Sequence, residues 1–252
     1  MSWIERTTSF IHPELWPAKA ITLPRIQNHR GLHLQGVVEN SIEAFRQARE
    51  RGGLCCELDV RLSKDKIPMV FHDENLFRLF TRAENVQDIL ASELEQLGIP
   101  PLAKVLADTS LTPFFNVELK SKIIDDPLPR KVAEVVTQLK AESRIIFSSF
   151  NPVSLYIMQN YLPQVPRALL ATDEVSEENP WYLRQLLTAP FLRIHMLNLD
   201  KKMLTNSLIH NLVSNKIPFA VWTVNQESEV RRYLAAGAKS VITDLNILDH
   251  NF

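Results

Sequence analysis

The chain has 252 residues, 45% of them apolar, with 28 basic side chains against 29 acidic ones. A net charge of −1 leaves no electrostatic footprint for nucleic acid or an anionic membrane, and no apolar run approaches the roughly 18 residues that span a bilayer. One large domain fits this length, and about 250 residues is the usual size of a (β/α)8 barrel.

Residues 1–24 carry Trp3, Phe10, Trp16 and three prolines without a clear period. They read as an ordered extension packed on the body, with no continuous apolar core of a secretion signal. Residues 25–28 are expected as the first strand, ending in His29-Arg30-Gly31. Asn40 or Ser41 then caps a helix bearing Ile42, Phe45 and Arg49 on one face, and Gly52-Gly53 stops it. The two cysteines, Cys55 and Cys56, are neighbours on a strand and face opposite ways. They read as reduced, buried thiols in a cytoplasmic protein.

Residues 54–73, LCCELDVRLSKDKIPMVFHD, read as a strand that turns back on itself. Glu57 and Asp59 share one side of an extended chain. With Asp65 and Lys66 in the bend, residue 64 pairs with 67 and Asp59 with His72, which brings an imidazole across from two carboxylates. Short helical pieces follow near 86–97 and 101–107. Strands are then expected at 114–119, 144–150, 167–171, 192–197, 217–224 and 240–243. Between them lie helices marked by Val132, Val135, Val136 and Leu139, by Asn151-Pro152 and Asn179-Pro180 starts, by Leu204, Leu208 and Leu212, and by a stop at Gly237.

A parallel crossover needs about a dozen residues, so 67–71 must be the return arm of a hairpin and not a barrel strand. Eight strands remain, which predicts an α/β fold: a single (β/α)8 TIM barrel over 25–252 with a β-hairpin after strand two standing over its mouth. A doubly wound open sheet is the alternative, but no G-x-G-x-x-G follows the first strand.

Functional side chains of such a barrel sit at the C-terminal strand ends. Those ends carry His29, Arg30, Glu57, Asp59, Glu118, Lys120, Ser148, Ser149, Trp222, Asn225 and Asp244. Carboxylates about 4 Å apart repel by roughly 4 kcal/mol at an effective dielectric of 20. A cation relieves this, and an all-oxygen donor set favours one hard divalent ion, Mg²⁺ or Ca²⁺. With Arg30 and Lys120 alongside, the constellation suits an anionic phosphate ester, and two histidines supply acid and base near neutral pH.

The motifs HRG at 29–31, ENS at 39–41, ELDV at 57–60, HD at 72–73, VELK at 117–120, SSF at 148–150, WTVN at 222–225 and ITD at 242–244 stand in a familiar order. From about residue 25 onward the sequence resembles the glycerophosphodiester phosphodiesterases. The resemblance implies a divalent metal on Glu57, Asp59 and Glu118, and acid–base catalysis by His29 and His72. It further implies a phosphate held by Arg30 and Lys120, a substrate pocket walled by Trp222, and cleavage of a small-molecule glycerophosphodiester to glycerol 3-phosphate and an alcohol. A substrate hydroxyl attacking phosphorus first, to give a cyclic phosphate that water opens, is the expected chemistry.

The sequence departs from the family at Val38, Lys66 and Leu245, and its 73–100 segment is short. Lysophospholipid cleavage at the same site, or phosphate binding without turnover, are the alternatives. Ser148 and Ser149 read as local hydrogen-bonding groups, Asn225 as a helix cap, and His12, His33, His195, His210 and His250 as non-catalytic.

Overall fold

The structure is a computed structural model that describes residues 3–34, 36–121, 126–176 and 179–249; His250 lies outside them. Eight parallel strands form a closed ring: β1 (Ile26–Asn28), β2 (Cys55–Leu62), β4 (Phe114–Leu119), β5 (Ile145–Ser149), β6 (Arg167–Ala171), β7 (Met196–Asp200), β8 (Phe219–Trp222) and β9 (Ser240–Thr243). β1 closes it, pairing with β9 from Ile26↔Val241 to Asn28↔Thr243 and with β2 at Asn28↔Cys56. β1 is short and β2 long, so the far end of β2 is free to take β3 (Pro68–Val70) as an antiparallel partner outside the ring. The fold is the expected barrel with a hairpin after its second strand.

Alternation along the strands decides what faces inward. Leu58 and Val60 point outward and pack with Phe115, Val117 and Phe147 under the helices, which turns Glu57 and Asp59 into the barrel. At the N-terminal end of the strands the interior is apolar. Ile146, Ala168, Met196 and Ala220 meet Trp16, Ile21 and Leu23 of the N-terminal segment there. Above that floor the interior is polar: Ser148 Oγ donates to Asn116 Oδ1, Asn116 Nδ2 to Gln27 Oε1, Gln27 Nε2 to Ser240 Oγ, and Ser240 Oγ to the Pro24 carbonyl. These side chains satisfy one another, as buried polar groups must. Ser149 Oγ likewise donates to the Leu119 carbonyl, so both serines bond locally as expected.

Four expectations about the fold need correction. The hairpin register is one residue off: Val60 pairs with Val70 and Arg61 with Met69, which sets Phe71, not His72, opposite Asp59. The turn has three residues instead of two, because Lys66 takes a left-handed φ of 63°, Ser63 N–H donates to the Ile67 carbonyl and Lys66 N–H donates to the Ser63 carbonyl. A type I turn followed by a left-handed residue is the three-residue hairpin solution. The seventh barrel strand is Met196–Asp200, not 192–197. Its inward residues include Asn198 and Asp200, so an apolar pattern that begins at Leu192 ends before the strand does. Finally, the Asn179-Pro180 start opens only the short helix Trp181–Arg184.

Candidate active site

A cavity of about 260 Å³ opens at the C-terminal ends of the strands. Its wall includes His29, Arg30, Glu57, His72, Glu118, Lys120 and Trp222. The remaining residue read from the sequence, Asp59, is 1% exposed and paired with two of these, Arg30 and Lys120. All eight therefore come to one place.

Strand register explains the acidic group. β2 and β4 pair Glu57 with Asn116 and Asp59 with Glu118, so carboxylates two apart on one strand meet a third on its neighbour. One oxygen from each of Glu57, Asp59 and Glu118 lies within 4.8 Å of the others. Burial, and then the charges of Asp59 and Glu118, push the Glu57 carboxyl well above its ordinary range. Burial acts the same way on Asp59, but Lys120, His72 and Arg30 outweigh it and hold Asp59 low, helped by a hydrogen bond from Asn40 Nδ2 at 2.9 Å. Three buried carboxylates with purely oxygen donors fit a hard divalent cation. A proton on Glu57 is the alternative relief.

Two fixed cations border this group. Lys120 Nζ lies 2.9 Å from Glu118 Oε1 and 3.6 Å from Asp59 Oδ1. Burial opposes its charge, but Glu118 and Asp59 raise its pKa overall. It is not a solvated strand end. Arg30 Nε lies 3.3 Å from Asp59 Oδ2, its Nη1 donates to Glu39 Oε1 at 2.7 Å, and its backbone N–H donates to Glu57 Oε2 at 3.1 Å. The turn that delivers it needs unusual backbone. Arg30 itself has φ 54°, and at Gly31 (φ 81°) a Cβ would stand 2.8 Å from that of Ala44, so only glycine fits there.

Each histidine has its own carboxylate. His29 Nδ1 is 2.7 Å from Asp244 Oδ1, and His72 Nδ1 is 2.7 Å from Asp73 Oδ1. Both aspartates are held below the ordinary carboxylate range against the cost of burial: Asp244 mainly by the His29 bond, Asp73 by Arg78 and then His72. Ionised acceptors require Nδ1 to carry a hydrogen in each ring, which leaves Nε2 as the working nitrogen. Burial lowers the His72 pKa, with Asp59 opposing and Lys120 and Arg30 assisting. The one-residue register shift does not remove His72 from the cavity. Phe71 turns into the small core of Met69, Leu76, Val86 and Ile89, and His72, one residue beyond, turns the other way. Arg61 Nε donates to its carbonyl at 2.7 Å.

Several residues here carry no role from sequence alone. Asp73 and Asp244 sit inside the HD and ITD motifs but show their purpose only through contacts. Asn225 is not a helix cap: Gln226 occupies that position, while Asn225 Nδ2 donates to Asp244 Oδ2 and its Oδ1 accepts the Asp244 N–H. His33 Nε2 approaches the same Asp244 oxygen as His29, at 3.6 Å. Phe150 meets Trp222 edge-on at 5.7 Å, and Trp222 Nε1 donates to the Asn198 carbonyl at 3.0 Å. His195 lies outside the site, buried against Trp16 with Nδ1 accepting the Arg167 N–H.

Comparison with known proteins gives the family. The Glycerophosphoryl diester phosphodiesterase family model matches residues 29–246. The chain belongs to that family. A glycerophosphodiester phosphodiesterase from Caldanaerobacter subterraneus is 30% identical over 231 residues, covering 86% of this chain and 92% of its own. The crystal structure of a glycerophosphodiester phosphodiesterase from Thermotoga maritima superimposes with a TM-score of 0.68 at 27% identity, over 88% of this chain and 95% of that one. An Oleispira antarctica phosphodiesterase in complex with the product sn-glycerol-3-phosphate has the same fold, with a TM-score of 0.75 at 24% identity, over 88% of this chain and 93% of that one. This family member is thus a hydrolase with an acidic cluster suited to a divalent ion. Among its described residues no helix is long and apolar enough to cross a membrane.

Proposed function

We propose that the protein cleaves water-soluble glycerophosphodiesters to glycerol 3-phosphate and an alcohol, using one divalent ion, Mg²⁺ or Ca²⁺, and two histidines. The observation that carries this reading is the convergence of three carboxylates, two cations and two aspartate-bound imidazoles on one cavity. Glu57, Asp59 and Glu118 would hold the ion. When bound, it lends positive charge to a phosphoryl oxygen and offsets the crowded carboxylates.

The chain's own groups divide the remaining work. Arg30 and Lys120 bind the phosphate's non-bridging oxygens and meet the charge that builds there as phosphorus is attacked. One imidazole takes the proton from the attacking hydroxyl through its Nε2. The other gives its Nε2 proton to the departing alkoxide as the P–O bond to the head group breaks. That step leaves a cyclic phosphate; water then attacks its phosphorus with the two imidazoles in exchanged roles and one ring P–O bond breaks, so the sum adds one water to the diester and releases one alcohol and one phosphomonoester. Asp244 and Asp73 hold the rings in the tautomer that this exchange requires. Trp222 and Phe150 exclude water from one wall. The Oleispira structure was solved with sn-glycerol-3-phosphate, the product expected here.

Cys55 and Cys56 are free and buried, and burial pushes the Cys56 thiol up to about 12. Unpaired cysteines are in keeping with the cytoplasmic reading.

The test is phosphodiester cleavage with Mg²⁺ or Ca²⁺ added or chelated, read as glycerol 3-phosphate from glycerophosphocholine, glycerophosphoethanolamine and glycerophosphoglycerol and as lysophosphatidic acid from a lysolipid. Metal-dependent release from at least one soluble diester is expected. Turnover of the lysolipid alone would shift the substrate class, and no release from any of them would remove the enzyme reading.

A further inference from the structure

Arg78 does not line the cavity, yet its side chain connects two groups that do. It belongs to the short helix Phe77–Phe80 after β3, and its side chain is 46% exposed. The guanidinium spends three N–H groups on two carboxylates. Nε donates to Asp73 Oδ2 at 2.6 Å, while Nη1 and Nη2 donate to Glu39 Oε2 and Oε1 at 3.0 and 2.5 Å. Neither carboxylate ends the chain of contacts. Asp73 uses its other oxygen on His72 Nδ1, and Glu39 Oε1 also accepts from Arg30 Nη1. The path Arg30–Glu39–Arg78–Asp73–His72 thus runs across the mouth from the loop after β1 to the arm after β3.

We propose that Arg78 is a positioning residue: it fixes the distance and angle between the Arg30 guanidinium and the His72 imidazole. The inference rests on the phosphodiesterase reading above, in which Arg30 holds phosphate and His72 moves a proton.

Fold stability is a poor account of this network, because ion pairs this open to solvent contribute little to folding. Geometry is a better one. The Arg78 cation bridges Glu39 and Asp73, and without it the two carboxylates repel. Glu39 would then draw Arg30 away from Asp59, whose Oδ2 lies 3.3 Å from Arg30 Nε. Asp73 would swing and take the His72 ring with it. The His72 backbone would stay, since Arg61 holds its carbonyl. The loss therefore falls on ring orientation and phosphate placement, where an error of about 1 Å costs about 10²-fold. A lysine cannot replace this arginine, because an ammonium lacks the planar fork that reaches both carboxylates.

The experiment compares wild type, Arg78→Ala, Arg78→Lys, Asp73→Asn and the Arg78→Ala/Asp73→Asn pair. Steady-state kinetics on the best diester are read beside thermal unfolding and the downfield proton spectrum, with the His72 Nδ1–H line identified by its loss in His72→Gln. Arg78→Ala is expected to lower kcat about 10- to 100-fold with a smaller change in KM and a Tm close to wild type. Arg78→Lys should recover only part of the loss. In the Asp73→Asn background the same change should cost much less. The His72 line should shift or broaden in Arg78→Ala. A kcat within twofold of wild type, a full multiplicative loss in the Asp73→Asn background, or an unmoved His72 line would each overturn the proposal. Should wild type itself release no glycerol 3-phosphate, the functional reading fails separately, and the spectrum alone decides whether Arg78 orients His72.

Discussion

Lys120 Nζ sits 2.9 Å from Oε1 of Glu118, its neighbour two residues back along β4. The cation assigned to phosphate thus leans on a carboxylate assigned to metal, so the two ligands share one electrostatic problem. A divalent ion held by Glu57, Asp59 and Glu118 would compete with Lys120 for Glu118 and would leave the ammonium free to meet the phosphate. Ion binding to the folded state adds stability, about 2.7 kcal/mol at 100 times Kd. For a chain of this size each kcal/mol is about 2–4 °C in Tm, so Mg²⁺ or Ca²⁺ should raise Tm by several degrees. In Glu118→Ala that rise should vanish. Unfolding scans with and without chelator check both.

Glu57 gives the ion-free protein an unusual pH dependence. Its carboxyl is raised well above 4.5 in the fold, so the folded state keeps a proton that the unfolded chain has released. That contribution is fully present below about pH 4.5 and is lost as pH climbs through the folded value. Stability measured with chelator should therefore fall as pH rises above that range. Glu57→Gln keeps the hydrogen-bonding shape without the charge, so it should flatten the fall and be more stable than wild type at pH 8. Adding the ion to wild type should remove the same slope, since the cation takes the place of the proton.

The two histidine–aspartate pairs make separable claims. His29→Ala or His72→Ala should each cut the rate by about 10²-fold or more while Tm stays near wild type. Asp244→Asn and Asp73→Asn keep the shape but accept the wrong tautomer, so each should lose rate in proportion to its ring's importance without raising KM to match. Near-full activity in either histidine variant would take that residue out of the acid–base pair.

How far the sequence reaches is clear from these same residues. Glu57, Asp59 and Glu118 were readable because strand alternation and the strand-end rule fix their direction without tertiary knowledge. The His29 and His72 partners were harder. Asp244 is 215 positions from His29, and only barrel closure between β1 and β9 makes them neighbours. Arg78 and Glu39 meet from segments 39 positions apart, with nothing in local pattern to pair them. β7 was misplaced because periodicity tracks apolar residues, whereas Asn198 and Asp200 face a polar interior. Asn225 was read by its local position as a cap, although its amide is committed to Asp244 across the strand ends.

Trp222 tests substrate fit apart from chemistry. Its ring stands edge-on to Phe150 and its Nε1 is spent on the Asn198 carbonyl, so it offers substrate a surface and no proton. Losing such a wall removes binding common to ground and transition states. Trp222→Ala should raise KM several-fold with a smaller change in kcat, and Trp222→Phe should restore most of the affinity. A kcat loss as large as that of His72→Ala would mean that Trp222 positions the reacting atoms and does more than line the pocket.

The hairpin turn makes the last prediction, and it concerns stability alone. Lys66 is exposed and holds φ at 63°, a region that costs a residue with a Cβ roughly 1–2 kcal/mol and costs glycine nothing in sterics. Replacing it with glycine relieves that strain but gives the unfolded chain more freedom, which returns part of the gain. The net expectation for Lys66→Gly is a stabilisation of up to about 1 kcal/mol, or about 2–4 °C in Tm. The turn carries none of the groups assigned to catalysis, and the Met69, Phe71 and Leu76 cluster holds the arm independently, so kcat should not change. Had the turn been the two-residue bend first expected, position 66 would sit in a different turn geometry and the Val60↔Val70 pairing would not form. A fall in Tm for Lys66→Gly would therefore speak against the left-handed geometry at that position.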